Sequence, residues 1–228
     1  MVARRALALP WVVAALAAAA SGAAQEPRVA AGAGAAVALP AGSLRHYLGT
    51  GDGLAGLVRF GPDGRHVRLL VAAELLNFAP TTRSRPFEVG QVRITTSSRM
   101  FVVIAGPEAE AGAGRVRATV AAGAGLASAQ ATGTVAGLDV VQPLSGVTTF
   151  GDLTWALSAG AGLRLRLGGG ATPLWLEGGV RRIALGPTRW VREQGIPVRD
   201  LSYDFLAPTW SASGLTVFVL VLSVGLRH

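Results

Sequence analysis

The sequence has no cysteine and no lysine. The first absence excludes a disulfide framework, a thiolate metal site and a cysteine nucleophile. The second makes every basic residue an arginine: 21 of them stand against 13 acidic residues, for a formal charge of +8. Aromatic residues are scarce, at 6%. Long apolar runs are scarce too: after the first two dozen residues none approaches the roughly 20 needed for a spanning helix, although half the chain is hydrophobic and the mean hydropathy is +0.44. Hydrophobicity is therefore dispersed. Glycine is abundant, 31 of 228, about twice the usual 7%. That disfavours a helical bundle, because an interior glycine costs about 1 kcal/mol relative to alanine.

The one long apolar run is at the start. Arg4 and Arg5 precede residues 6–20, which are apolar and alanine-rich, and Ser21, Gly22, Ala23 and Ala24 follow as small residues suited to cleavage. Residues 1–24 read as an export signal and residues 25–228 as one domain. Pro10 and the shortness of the run argue against a retained anchor. Without Arg4 and Arg5 the charge is nearer +6. The basic balance raises nucleic acid as a partner, but the arginines are spread singly and an exported chain seldom meets nucleic acid, so none is expected.

The decisive pattern has a period of two. Across residues 153–167 the odd positions are Leu153, Trp155, Leu157, Ala159, Ala161, Leu163, Leu165 and Leu167, whereas the even ones include Thr154, Ser158, Arg164 and Arg166. A strand puts these sets on opposite faces; a helix would mix them. Similar alternation marks residues 29–39, 53–60, 66–78, 93–105, 115–126, 174–183 and 217–227, making eight strands. Most exceed the 5 to 6 residues usual in soluble sheets and match the 9 to 11 of tilted membrane strands. Short connections at 61–64 (Gly61, Pro62, Asp63, Gly64), 106–114 and 168–173 alternate with long ones at 40–52, 79–90, 127–148 and 184–214. This describes an up-and-down antiparallel sheet. One apolar face must be hidden from water and open edges cannot survive in lipid, so the expected fold is all-β: a closed transmembrane β-barrel of about eight strands.

The signal, residues 33–40 entering a first long loop, Glu177 and Arg181 on one parity, and the final Ser223, Val224, Gly225, Leu226, Arg227 and His228 resemble the small eight-stranded outer-membrane barrels, the superfamily of the OmpX and OmpA membrane domains. The resemblance implies a bacterial outer-membrane location, outer-membrane lipid and lipopolysaccharide as surroundings, and the barrel-assembly machinery as a partner. It also implies a structural or surface role. The chain departs from the family by ending on His228 where such barrels usually end on an aromatic residue. Trp175, Phe60, Phe78, Phe150 and Trp155 stand near strand ends as an interfacial girdle would. The longest loop, with Trp190, Tyr203, Phe205 and Trp210, is a candidate surface for an external ligand.

No catalytic constellation, cofactor site or metal site emerges. The histidines are His46, His66 and His228; no two share a metal-ligating spacing, and only His46 falls in a long, external loop. The glycine-rich stretch from Gly168 to Gly170 leads to no lysine-bearing helix and reads as a turn. The expected site is instead a lumen charge network. Parity directs Arg68, Arg93, Arg99, Arg164, Arg166 and Arg181 inward with Glu74, Asp152 and Glu177, and Arg59, Arg117 and Arg227 inward or to the rims. Each acid would then bridge several guanidinium groups, and any leak through this electropositive lumen would be small and anion-preferring. A narrow solute passage and a lipid-modifying enzyme are the competing functions; a soluble ligand-carrying barrel is the competing fold. Leu157 falls mid-strand on the apolar face, so Leu157→Arg is expected to lower unfolding free energy in vesicles by about 2 to 4 kcal/mol. An unchanged value would mean that this face does not meet lipid.

Overall fold

The computed structural model describes residues 29–46, 48–61, 67–87, 90–112, 114–137, 145–167, 173–192 and 207–226. Residues 1–24, most of the turn at 61–64, and Arg227 and His228 lie outside the described residues. Eight antiparallel strands form a closed barrel in chain order: β1 Val29–Gly42, β2 Gly51–Phe60, β3 Val67–Phe87, β4 Gly90–Ala111, β5 Val116–Gly137, β6 Ser145–Arg166, β7 Leu174–Arg192 and β8 Ala207–Leu226. A 3-10 turn, Ser43–His46, follows β1 in the connection to β2. Among the described residues no helix is long and apolar enough to cross a membrane.

Paired residues followed once around the barrel run from Gly32 through Leu57, Ala72, Ile104, Gly125, Ala156, Leu185 and Ser213 to Gly42, ten residues further along β1. That stagger tilts the strands by about 40° from the barrel axis and leaves an interior that side chains alone can fill. Leu153, Trp155, Leu157, Leu163, Leu165 and Leu167 project outward from β6 and its end, exposed, as do Leu54, Val120, Val180, Phe218, Leu220 and Leu222 from other strands. On β6 this band is about 35 Å tall at the stated tilt.

The strands outrun their expected ends. Residues 79–87 and 90–92 extend β3 and β4, 127–137 and 145–152 extend β5 and β6, and 184–192 and 207–214 extend β7 and β8. Most of these residues lie in the segments 79–90, 127–148 and 184–214, which were expected to be loops because apolar alternation fades there. The physical reason is that alternation records a wall with one apolar and one polar face; in the extensions small and polar residues such as Ala127, Ser128, Ala129 and Gln130 blur that contrast, yet pairs such as Thr82 with Thr95 still favour extended pairing. At the other end, β4 runs on to Ala111 through the expected turn, with Pro107 exposed on its outer side.

Among the described residues the extensions do not form a closed ring. β1 and β2 stop at Gly42 and Gly51, and β6 pairs with β7 only up to Ala156 and Leu185. Among the described residues, the outer parts of β3 to β6 therefore form an open sheet beyond the barrel, and β7 with β8 a separate ribbon.

Closure at this small radius demands glycine where the walls are tightest. A Cβ on Gly34 would run into the Leu220 carbonyl oxygen and lie 2.7 Å from Val221 Cα. Neither obstacle is a movable side chain. Gly34→Ala is accordingly expected to cost about 2 kcal/mol in urea unfolding, whereas Gly151→Ala, with no atom within 4 Å of the new Cβ, should stay within about 0.5 kcal/mol of wild type. Equal stabilities would show that the walls are not in such close contact.

Candidate functional site

The lumen is built in two layers. At the end of the barrel where the short connections lie, Arg59, Arg68, Glu108, Glu110, Arg117, Arg164 and Glu177 form one belt, each within three residues of its strand's end. Period-two geometry turns all of them inward, and all but half-buried Arg117 are buried.

Arg59 is the centre of the belt. Its Nε donates to Glu108 Oε1 at 2.6 Å and its Nη2 to Glu108 Oε2 at 3.1 Å; Nη1 and Nη2 also reach the two oxygens of Glu177 at 2.8 and 2.6 Å. One planar guanidinium thus holds two carboxylates, a geometry that lysine could not reproduce. Arg164 links Glu177, at 3.2 Å from Nε, to Glu110, at 2.5 Å from Nη1. Glu110 also accepts from Arg68 and Arg117, and Ser223 donates to Glu177. The Trp175 ring centroid lies 4.9 Å from Arg117 Cζ and 4.7 Å from Arg164 Cζ, so its π system adds attraction to both.

Four guanidinium groups share three carboxylates here, each carboxylate bridging two or three arginines. Deeper in, a cavity of about 60 Å³ is bounded by Leu57, Leu70, Gly160, Gly162 and Gly179 together with belt residues. The glycines make this room. Arg181 then pairs with buried Glu74. Beyond that pair the lumen turns apolar: Leu76, Met100, Val102, Ile183, Leu215 and Val217 are almost completely inaccessible, and Leu44 of the 3-10 turn is packed into the same core.

The placements depart from the parity reading in identifiable ways. Arg68, Glu74, Arg164, Glu177 and Arg181 face the lumen in the contacts described. Arg166 is half-buried on the inner face of β6, two residues from Arg164. Asp152 lies toward the other end of that strand, where it accepts the Leu153 N–H at 2.9 Å. Arg93 and Arg99 require correction: they are exposed on the outer side of β4, with Arg99 Nε donating to Asn77 Oδ1 at 2.8 Å. The inner face there belongs to Ser98, Met100, Val102 and Ile104. A charge marks the lumen side only within the apolar band; beyond it, outward charge meets water. Trp175 and Phe78 are likewise inside the lumen and not in an outer girdle, whereas Trp155 does project outward.

Glu108 and Glu110 are the residues the sequence reading missed, since Gly106 and Pro107 marked the segment as a turn. Their signal was the unbroken even parity with Met100, Val102 and Ile104. Among the described residues no group of three His, Asp or Glu side chains is placed to hold a metal. His46 closes the 3-10 turn, and His66 lies outside the described residues.

The topology, stagger, inward charge and outward apolar band together define a closed, up-and-down eight-stranded antiparallel barrel with an apolar exterior, the fold expected above. Among solved structures the chain is similar to Neisserial surface protein A, with 13% identity and a TM-score of 0.47 over 88% of this chain and 97% of that one. It is also similar to Ail, the attachment invasion locus protein of Yersinia pestis, solved with the heparin analogue sucrose octasulfate: 12% identity, TM-score 0.40, 88% and 97% covered. The translocator domain of the autotransporter NalP from Neisseria meningitidis matches at 13% identity and TM-score 0.27, over 96% and 95%. No protein-family model and no curated protein matches the sequence.

Removing one carboxylate would strand buried cations, which costs far more than an exposed pair is worth. Glu177→Gln is therefore expected to lower unfolding free energy by about 3 to 5 kcal/mol, with a changed tryptophan emission reporting altered packing around Trp175. A loss below about 1 kcal/mol, the value of a surface pair, would show that the belt is solvated and not a structural plug.

Proposed function

We propose that this chain is a bacterial outer-membrane barrel that serves as an anchored surface element, with residues 1–24 removed on export and residues 25–228 assembled into the membrane by the barrel-assembly machinery. The filled lumen carries this reading. Among the described residues a charge belt near one mouth and an apolar core beyond it fill the lumen, which argues against solute passage. Such a barrel is a stiff membrane anchor, and its outer apolar band, about 35 Å on β6, more than spans the roughly 25 Å apolar zone of an outer-membrane barrel.

What remains for interaction is the open sheet made by the outer parts of β3 to β6. Beyond Ala79, whose N–H donates to the Thr50 carbonyl, β3 has β4 on one side and no paired strand on the other among the described residues. Free strand edges of this kind can bind an extended segment of another protein by backbone pairing. Surface interaction through this sheet is accordingly the function the geometry favours over catalysis, for which no nucleophile, base and oxyanion site come together among the described residues.

Electrophoresis of boiled and unboiled extracts, paired with planar-bilayer recording, tests the reading. The unboiled protein is expected to come from the membrane fraction and migrate compactly, and the reconstituted barrel to pass negligible current. Recovery in the soluble fraction with unchanged mobility would favour the ligand-carrying soluble barrel, while a large conductance would favour solute passage.

A further inference from the structure

Arg182 is placed where an arginine is hard to account for by contacts within the barrel. It leaves the outer face of β7 eight residues from the strand's lower end at Leu174, between exposed Val180 and exposed Ala184. Its register partner on β6 is Ala159, next to outward Leu157; on the other side, β8 carries exposed Phe218. Arg99 differs, for it lies twelve residues from the lower end of β4 and among Asn77, Ser97 and Gln130, a polar rim.

The side chain is nonetheless held. Arg182 Nη1 donates to Thr216 Oγ1 at 2.9 Å, and among the described residues this hydroxyl is its hydrogen-bond partner. The guanidinium then leans along β8 toward the outer rim, over Gly214: a Cβ on that glycine would stand 3.3 Å from Nη2. Thr216 and Gly214 are successive outward positions, so a hydroxyl and a missing side chain together form the seat. The long stem lies against the apolar wall while the charge is carried upward. An outward arginine is costly at mid-depth and almost neutral near the interface. Five N–H donors with one protein acceptor leave the cation able to take an anion from the surrounding layer.

We propose that Arg182, seated by Thr216 and Gly214, binds the phosphate of a net-anionic lipid headgroup in the outer leaflet in preference to that of a zwitterionic one. This rests on the membrane reading above. The phosphate would accept from the remaining guanidinium N–H groups, and this charge-assisted contact would offset the arginine's partial removal from water.

The test uses the full chain refolded into phosphatidylcholine vesicles with and without phosphatidic acid, followed by native mass spectrometry of the released barrel. Wild type is expected to retain phosphatidic acid over phosphatidylcholine by roughly ten-fold, the scale of one charge-assisted contact. Arg182→Leu should bring that preference close to unity, Arg182→Lys should keep part of it, and Arg93→Leu should leave it unchanged. Thr216→Val, which removes the seat and keeps the charge, should weaken it partially. Heat-dependent mobility of each variant verifies folding, which a leucine on the apolar face is not expected to impair. Arg182→Leu retaining the wild-type preference overturns the site, as does equal competition by inorganic phosphate, which would mean a free anion and not a lipid is recognised. A wild type that does not enter vesicles overturns the membrane reading and the site with it. One that enters but shows no difference from Arg182→Leu overturns the site alone.

Discussion

Every backbone N–H and C=O within an apolar zone must find a partner in the chain, because lipid supplies none and an unpaired group costs several kcal/mol. A sheet meets this demand by closing on itself. From closure in eight strands with a ten-residue stagger the other features follow: the strands tilt, the wall curves tightly, and glycine is required where one strand presses on the next, as at Gly34. The lumen becomes narrow enough for side chains to fill it. The abundance of glycine and alanine reflects this small radius.

A narrow lumen in turn dictates how charge is stored. Isolated arginines could not be buried there, so they are gathered where carboxylates can be shared. Arg59 is the clearest case, its guanidinium fork occupied by Glu108 and Glu177. Trp175 extends the same economy of space by serving Arg117 and Arg164 with its ring. Apolar packing around Met100, Leu76 and Leu215 fills the other half, where no charged belt is needed. The proposed anchoring role rests on this division, and the proposed surface role on the sheet that projects beyond it.

The barrel was legible in the sequence because Leu153 to Leu167 alternates with Thr154 to Arg166 and because Phe218 to Leu226 repeats the pattern. The inward placement of Arg164, Glu177 and Arg181 follows from that parity. Arg99 was illegible for a physical reason: on β4 both Met100 and Phe101 are apolar, so neither face declares itself, and the position lies where outward charge is already solvated. Glu108 and Glu110 were hidden behind Gly106 and Pro107, which read as a turn; Pro107 is tolerated because it stands on the exposed side. Nor could parity show that Glu110 would gather three arginines from three other strands, since such convergence depends on closure and stagger.

The central claim is that one face of the wall meets lipid and the other a filled lumen. Because the chain has no cysteine, single cysteines can be introduced at successive positions of β6 from Leu153 to Leu163 and labelled with nitroxides in vesicles. The account predicts that access to oxygen, which concentrates in lipid, peaks at Leu153, Trp155, Leu157, Ala159, Ala161 and Leu163. It predicts low access to both oxygen and a water-soluble nickel complex at the intervening lumen-facing positions nearest mid-strand. Uniform access along β6, or high nickel access on either face at mid-strand, would contradict it.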